Sequence, residues 1–353
     1  MVSGPRFVIV CGGGGVGKTT TSAAVGMNAA RAGERVLVIT VDPARRLAQA
    51  LGIDTAGRGR SEVPVDGSGS LHVSMLDTKA GWDALIRRHA RDAATAERVL
   101  RNPLYDNITA RFVNSHDYIA MEQVNELSAS ADYDLVVVDT PPSRNGLDVL
   151  FAPQRMKEFF GGRLLQWLTL PYRNKLLSIA TKPFLVIADR LLGAQFLGDI
   201  AEFFALLQSM EKGFIARAEQ VELLLTSPRV ECMVVTIPEM ASVTEAGHLI
   251  DTLRDKRMAV TKIVVNRVVT IDSPNEVLPS EAEVGVHVSD MDVQKALAAV
   301  RETRARGVET AARHAEGIAA IRRRDVDVCV VPLTVGQGQS SALAAIGGAL
   351  QRS

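Results

Sequence analysis

Residues 6 to 20, RFVIVCGGGGVGKTT, leave the fold few alternatives. The apolar run from Phe7 to Cys11 reads as a buried parallel strand, it breaks into glycines, and a helical pattern starts after Lys18. Gly12, Gly13, Gly14, Gly15, Val16, Gly17, Lys18 and Thr19 fit G-x-x-x-x-G-K-[ST] at every position, with strand before and helix after. A phosphate chain must lie against backbone N–H groups, and residues without a Cβ let the backbone approach and turn that tightly. The following helix turns its unpaired N–H groups and the positive end of its dipole to the anion. Lys18 is then placed for the β- and γ-phosphates, the Thr19 hydroxyl for Mg²⁺, and Thr20 for the α-phosphate. A glycine-rich turn without a ligand would not require all of these positions at once. The pattern points to a nucleoside triphosphate.

Composition removes several classes. Lys plus Arg and Asp plus Glu number 40 each, so the formal net charge is zero and nothing global favours nucleic acid or an acidic membrane. Hydrophobic residues make up 47% and charged residues 23%, a globular profile. The first strand follows the N-terminus almost directly, which leaves no room for a signal peptide. The most apolar stretch, Phe184 to Leu207, is interrupted by Asp189, Arg190, Asp199 and Glu202, so no bilayer-spanning segment is expected. Cys11, Cys232 and Cys329 each fall inside an expected central strand, without C-x-x-C, so buried free thiols are expected rather than zinc or disulfides. His72, His89 and His116 lack ligand spacing. The expected location is the cytoplasm, with peripheral association with a membrane left open.

Along the chain, the first helix should run from about Lys18 to Ala32, stopped by Gly33. A strand from Arg35 to Val41 ends in Asp42-Pro43, with Pro43 suited to open a helix. Asp42 therefore stands at the carboxyl end of a parallel strand, the edge that binds ligands in open α/β sheets, and can position a water. A helix N-cap role suits it too. Residues 52 to 70 read as a surface loop, Leu71 to Leu76 as a third strand, and 77 to 131 as helical with a break at Asn102-Pro103. Leu135 to Val138 followed by Asp139 is a buried strand that delivers a carboxylate beside the phosphate loop, where Asp139 would hold Mg²⁺. The stiff turn after it, Thr140, Pro141, Pro142, Ser143 and Arg144, makes residues 140 to 147 a candidate switch segment, with Asp42 and Pro43 as its counterpart.

From Leu150 to about Ser227 the character changes. Eight of ten Phe lie between Phe151 and Phe214, with Trp167, and apolar residues recur at helical spacing. We expect a helical insertion that either packs on itself or opens an apolar groove for a hydrophobic client. The α/β rhythm resumes with strands at Val230 to Thr236, Val260 to Asn266 and Val326 to Val331, a helix after Pro238, a loop over 270 to 290 and an arginine-rich helix from Met291 to Arg324. A last helix follows Pro332-Leu333. Asn266, closing its strand at the binding edge, suits either recognition of adenine through its amide or the following turn.

Together these motifs resemble the deviant-Walker ATPases of the arsenite-pump (ArsA-like) and tail-anchored-protein-targeting family, close to its bacterial anion-transporting-ATPase-like members. The resemblance spans nearly the whole chain and rests on GGVGKTTT at 14 to 21, VDPARRL at 41 to 47, VVVDTPPSRNGLDVL at 136 to 150, Val234 to Glu245, VVNR at 264 to 267 and VVPL at 330 to 333. It implies that Asp42 orients the attacking water and that Asn266 with Pro332 and Leu333 surrounds adenine. It also implies that the segments 77 to 131 and 150 to 228 form a helical subdomain moving with the nucleotide state of a dimer. The family loop reads GKGGVGKT, with a signature lysine reaching the partner's nucleotide; Gly13 stands at that position here. A related cation in trans is worth on the order of 10³-fold in rate. Pairing with a lysine-bearing paralogue, a charge from another residue, or slow turnover are the options, and the first is our expectation over a homodimer. The family's DTAPTGHTL reads DTPPSRNGL, so Arg144 replaces a glycine; it either approaches a phosphate or lies on the surface. The zinc and arsenite cysteines of the family have no counterpart.

The expectation is therefore a P-loop NTPase three-layer α/β fold with a mostly parallel sheet, divided into 1–150 (first part of the ATPase domain), 151–228 (helical subdomain) and 229–353 (second part). Lys18 and Asp42 would be catalytic, and Thr19 and Asp139 the metal residues. Two alternatives are a nucleotide-binding scaffold that scarcely hydrolyses ATP, and a partitioning ATPase on a DNA or membrane track.

Overall fold

The structure, a computed structural model, describes residues 4–41, 46–52, 59–105, 115–141, 148–161, 194–271, 290–334 and 339–352. In chain order its elements are β1 (Arg6–Gly12), α1 (Lys18–Arg31), β2 (Arg35–Thr40), α2 (Arg46–Leu51), β3 (Arg60–Val63) and β4 (Ser70–Met75). Helices α3 (Thr78–His89), α4 (Ala93–Leu100) and α5 (Ser115–Leu127) precede β5 (Leu135–Asp139). Helices α6 (Asp148–Gly161), α7 (Ala194–Ser209) and α8 (Glu211–Leu225) then lead to β6 (Val230–Thr236) and α9 (Met240–Asp255). The chain closes with β7 (Ala259–Val268), α10 (Asp290–Arg322), β8 (Asp327–Pro332) and α11 (Gln339–Arg352).

The eight strands form one sheet in the order β3-β4-β2-β5-β1-β6-β7-β8. All neighbouring pairs are parallel except β3 on β4. The unbroken apolar runs of β1, β2 and β5 are buried on both faces, as strands covered by helices on either side must be. Their side chains alternate. Phe7, Ile9, Cys11, Val136 and Val138 face one side, against α5, α8 and α9. Val8, Val10, Leu135 and Val137 face the other, against α1 and α11. This is the three-layer α/β architecture expected.

A third core lies within helices alone. Trp82, Tyr118, Phe160, Phe203 and Phe214 pack together there, with the Phe160 and Phe214 rings stacked 5.3 Å apart. Helices α5, α6 and α8 contribute residues both to it and to the sheet core, and so fasten the helical layer to the sheet. Lys157 on α6 bridges to Glu222 on α8 at 2.6 Å. The buried Glu122 carboxylate on α5 pairs with Arg217 on α8; burial pushes it above its ordinary range, opposed by that guanidinium.

Several expectations need correction. The stretch read as a surface loop from 52 to 70 contains β3, so the strand expected third is the fourth. Arg60-Ser61-Glu62-Val63 gives no alternation signal because only Val63 is buried; its pairing comes from backbone bonds to the neighbouring β4. Cys329 is buried as expected but lies in β8, an edge strand rather than a central one. The helical stretch after residue 77 breaks at Ala90 to Asp92 as well, where the Asp92 carboxylate caps α4 by accepting from Thr95 N. Residues 162–193 of the helical insertion and 272–289 of the loop before α10 lie outside the described residues.

Candidate functional site

The carboxyl ends of β1, β2 and β5 meet in one row. Val10 pairs with Asp139, and Asp139 pairs with Thr40. The chain places β2, β4 and β5 on one side of β1 and β6 to β8 on the other, so the loop leaving β1 stands where an open sheet forms its crevice.

That loop needs its glycines. At Gly12 φ is +149° and a Cβ would stand 2.1 Å from Val235 O. At Gly17, φ +101°, a Cβ would stand 2.3 Å from Asn266 Nδ2. Both positions combine a left-handed backbone with a neighbour pressed against it. Gly17 is also the N-cap of α1, so the N-terminal end of that helix, the positive end of its dipole, adjoins the loop. Lys18 is buried, and its Nζ donates to Gly12 O at 2.9 Å and Gly13 O at 2.7 Å, which holds the ammonium within the loop.

Beneath the loop lies a buried carboxylate. Asp139 Oδ2 accepts from Thr19 Oγ1 at 2.9 Å and Thr40 Oγ1 at 3.0 Å, and Oδ1 accepts from Ser22 Oγ at 3.3 Å. Burial pushes its carboxyl up to about 6; the hydroxyl bonds and the charge of Lys18 pull the other way. Thr140 Oγ1 donates to Val10 O at 2.8 Å and ties the start of the candidate switch to β1. Hydroxyl and carboxylate oxygens are the hard donors Mg²⁺ prefers, and Thr19 with Asp139 supplies one of each within hydrogen-bond distance, so these residues fit the ion. Among the described residues no group of three or more His, Cys, Asp or Glu is arranged to hold a metal.

Thr40 and Ser22 were missed by sequence reasoning. Thr40 is the last residue of β2, opposite Asp139, and Ser22 lies one helical turn after Lys18, so strand register and helical period carried the signal.

Asn266 comes to the loop from the opposite side. Its Nδ2 donates to Val16 O at 2.9 Å, and its Oδ1 accepts from Arg267 N at 2.9 Å. The amide thus serves both the phosphate loop and the local turn. Leu333 N donates to Val268 O at 2.8 Å, and Pro332 pairs with Val268, so the two expected base-side segments are neighbours. Thr20 lies half-buried on α1 beside Thr19. At Gly13 a Cβ would stand 2.9 Å from Glu245 Oε2 on α9, so a carboxylate occupies the space beside the position of the missing lysine. Asp42, Pro43, Pro142, Ser143 and Arg144 lie outside the described residues.

Compared with known proteins, residues 5–287 match the family described as anion-transporting ATPase. The chain belongs to the anion-transporting ATPase family. Its relatives include an ATPase GET3 of Malassezia globosa, 31% identical over 152 residues, covering 42% of this chain and 43% of that protein. An ATPase ASNA1 homolog of Plasmodium falciparum is 26% identical over 276 residues, covering 76% of this chain and 65% of that protein. An ATPase GET3 of Candida dubliniensis is 26% identical, covering 76% of this chain and 74% of that protein. The match thus spans less than two thirds of the Malassezia and Plasmodium relatives. Within this chain the family match begins just before β1 and continues beyond β7, taking in the whole phosphate loop and the Asp139 edge. No helix among the described residues is long and apolar enough to cross a membrane.

Proposed function

We propose that this chain hydrolyses ATP with Mg²⁺ as a nucleotide-switched member of its family. The observation that carries the reading is the contact of Thr19 Oγ1 with the buried Asp139 carboxylate directly beneath Lys18 and its loop. The loop N–H groups and Lys18 bind the β- and γ-phosphates, while Thr19 and Asp139 hold the metal. Bound there, Mg²⁺ neutralises charge on the β- and γ-oxygens. Asp42 orients a water for in-line attack on the γ-phosphorus; the bond to the β–γ bridging oxygen breaks, and ADP and inorganic phosphate leave. The three relatives described above are ATPases by name, which agrees with this. The chain acts in the cytoplasm as a dimer, with segments 1–150 and 229–353 forming the ATPase domain. The 151–228 layer meets a partner or hydrophobic client.

Gly13 leaves this chain without the lysine that completes a partner's site, so we infer a hetero-pair with a lysine-bearing paralogue. The same glycine favours a second reading, a scaffold subunit that binds nucleotide and scarcely turns it over. Asp42→Asn separates the two. An ATPase loses phosphate release by about 10²-fold or more and keeps ATP affinity. A scaffold shows no change in any ATP-dependent property of its complex. Native mass spectrometry of the chain purified from its own cells with Mg·ATP tests the pairing, and a lone chain or homodimer would overturn it.

A further inference from the structure

We propose that His314 is a positioning residue for the nucleobase: from α10 it clamps the strand end that carries Asn266. The proposal rests on the reading that Asn266, Pro332 and Leu333 surround the base.

Strand β7 does not run straight into the site. Its register with β8 shifts between Val265 and Val268, and Arg267 takes φ +60°, a left-handed conformation costly for a residue with a Cβ. This bulge turns the Asn266 amide into the phosphate loop. Something must hold it, since a strained bulge relaxes unless its surroundings fix it. Two bonds flank the bulge on its far side. Val268 O accepts from Leu333 N, and Val269 N donates to Nδ1 of His314 at 3.0 Å. His314 is 6% exposed. Accepting through Nδ1 assigns the ring proton to Nε2, and that nitrogen faces Glu239 Oε1 at 3.7 Å, at the N-cap of α9. One imidazole thus spans the end of β7 and the start of α9. It cannot slide along with its helix, because one turn further a Cβ at Gly317 would stand 1.9 Å from Pro238 O: the backbone of α10 rests on the turn between β6 and α9.

The phosphate side has supports of its own that do not pass through His314, Lys18 on the loop carbonyls and Thr19 on Asp139, beside the Asn266 bond to Val16 O that His314 holds in place. Loosening His314 should therefore cost the base more than the phosphates. Calorimetry on the full chain with Mg·ATP and with Mg·tripolyphosphate, which lacks the nucleoside, reads this difference. In His314→Ala, ATP affinity should fall about tenfold, the scale of one orphaned part-buried N–H, while tripolyphosphate affinity changes by a smaller factor. His314→Asn, whose Oδ1 stands where Nδ1 does, should restore most of the loss; His314→Gln, which mimics Nε2, should not. If the alanine chain does not fold, the glutamine chain is read in its place. Equal losses for both ligands, or none, would overturn the role of His314. A wild-type chain that binds tripolyphosphate as tightly as ATP would instead overturn the base-site reading, and the positioning role with it.

Discussion

At the scale of single residues, Asp139 shows how burial creates a group that expects a cation. Three hydroxyls and the nearby Lys18 do not offset the loss of water, and the carboxyl stands at about 6 instead of the ordinary 3.8. A raised carboxyl means the folded chain binds that proton more tightly than the unfolded chain. Its contribution to stability is full below about pH 4 and is lost as pH rises through about 6. At neutral pH the buried charge costs on the order of 2–3 kcal/mol. Asp139→Asn, compared with wild type in urea titrations without Mg²⁺ or nucleotide, should be more stable at about pH 7.5, with the advantage vanishing toward about pH 4. The same variant should lose the Mg²⁺-dependent part of its ATP affinity. A stability difference independent of pH would contradict the titration assigned to Asp139.

Among elements, the helical layer has its own core, and Phe214 is its centre. The ring is fully buried and touches Phe160, His89, Trp82 and Tyr118 with centroids 5.3–6.3 Å apart, which joins α8 to α3, α5 and α6. Truncating such a ring leaves a cavity that costs about 3–5 kcal/mol. Phe214→Ala should therefore speed amide exchange in residues 78–100 and 203–225. Protection in β1 and α1, and ATP affinity, should stay near wild type, since Phe214 belongs to a core distinct from the two that line the sheet. Uniform loss of protection would mean that the helical layer and sheet unfold as one unit.

Across the whole molecule, the missing lysine and Glu245 belong together. A Cβ at residue 13 would stand 2.9 Å from the Glu245 carboxylate, so that flexible side chain must swing aside and then lies within reach of a lysine's ammonium in its own chain. Gly13→Lys alone should raise phosphate release by the isolated chain less than about tenfold. Adding Glu245→Gln should free the ammonium and move the rate toward the roughly 10³-fold expected of a cation in trans. Equal rates for the single and double variants would show that Glu245 captures nothing.

The local sequence determined what depends on short-range covalent constraint and burial. The glycines, Lys18 and Thr19 could form only a phosphate loop between strand and helix, and the apolar runs before Thr40 and Asp139 could only be buried parallel strands. Contacts between segments distant along the chain carried no local signature, and only the tertiary structure decided them. The pairing of polar β3 with β4 is made by backbone groups whatever the side chains are. Thr40 and Ser22 reach Asp139 because three elements converge on one row. Asn266 reaches Val16 O because its strand bulges into the loop, and His314 meets Val269 N and Glu239 because α10 lays it across the end of β7 and the start of α9. Register and packing set these meetings, and both are properties of the folded chain.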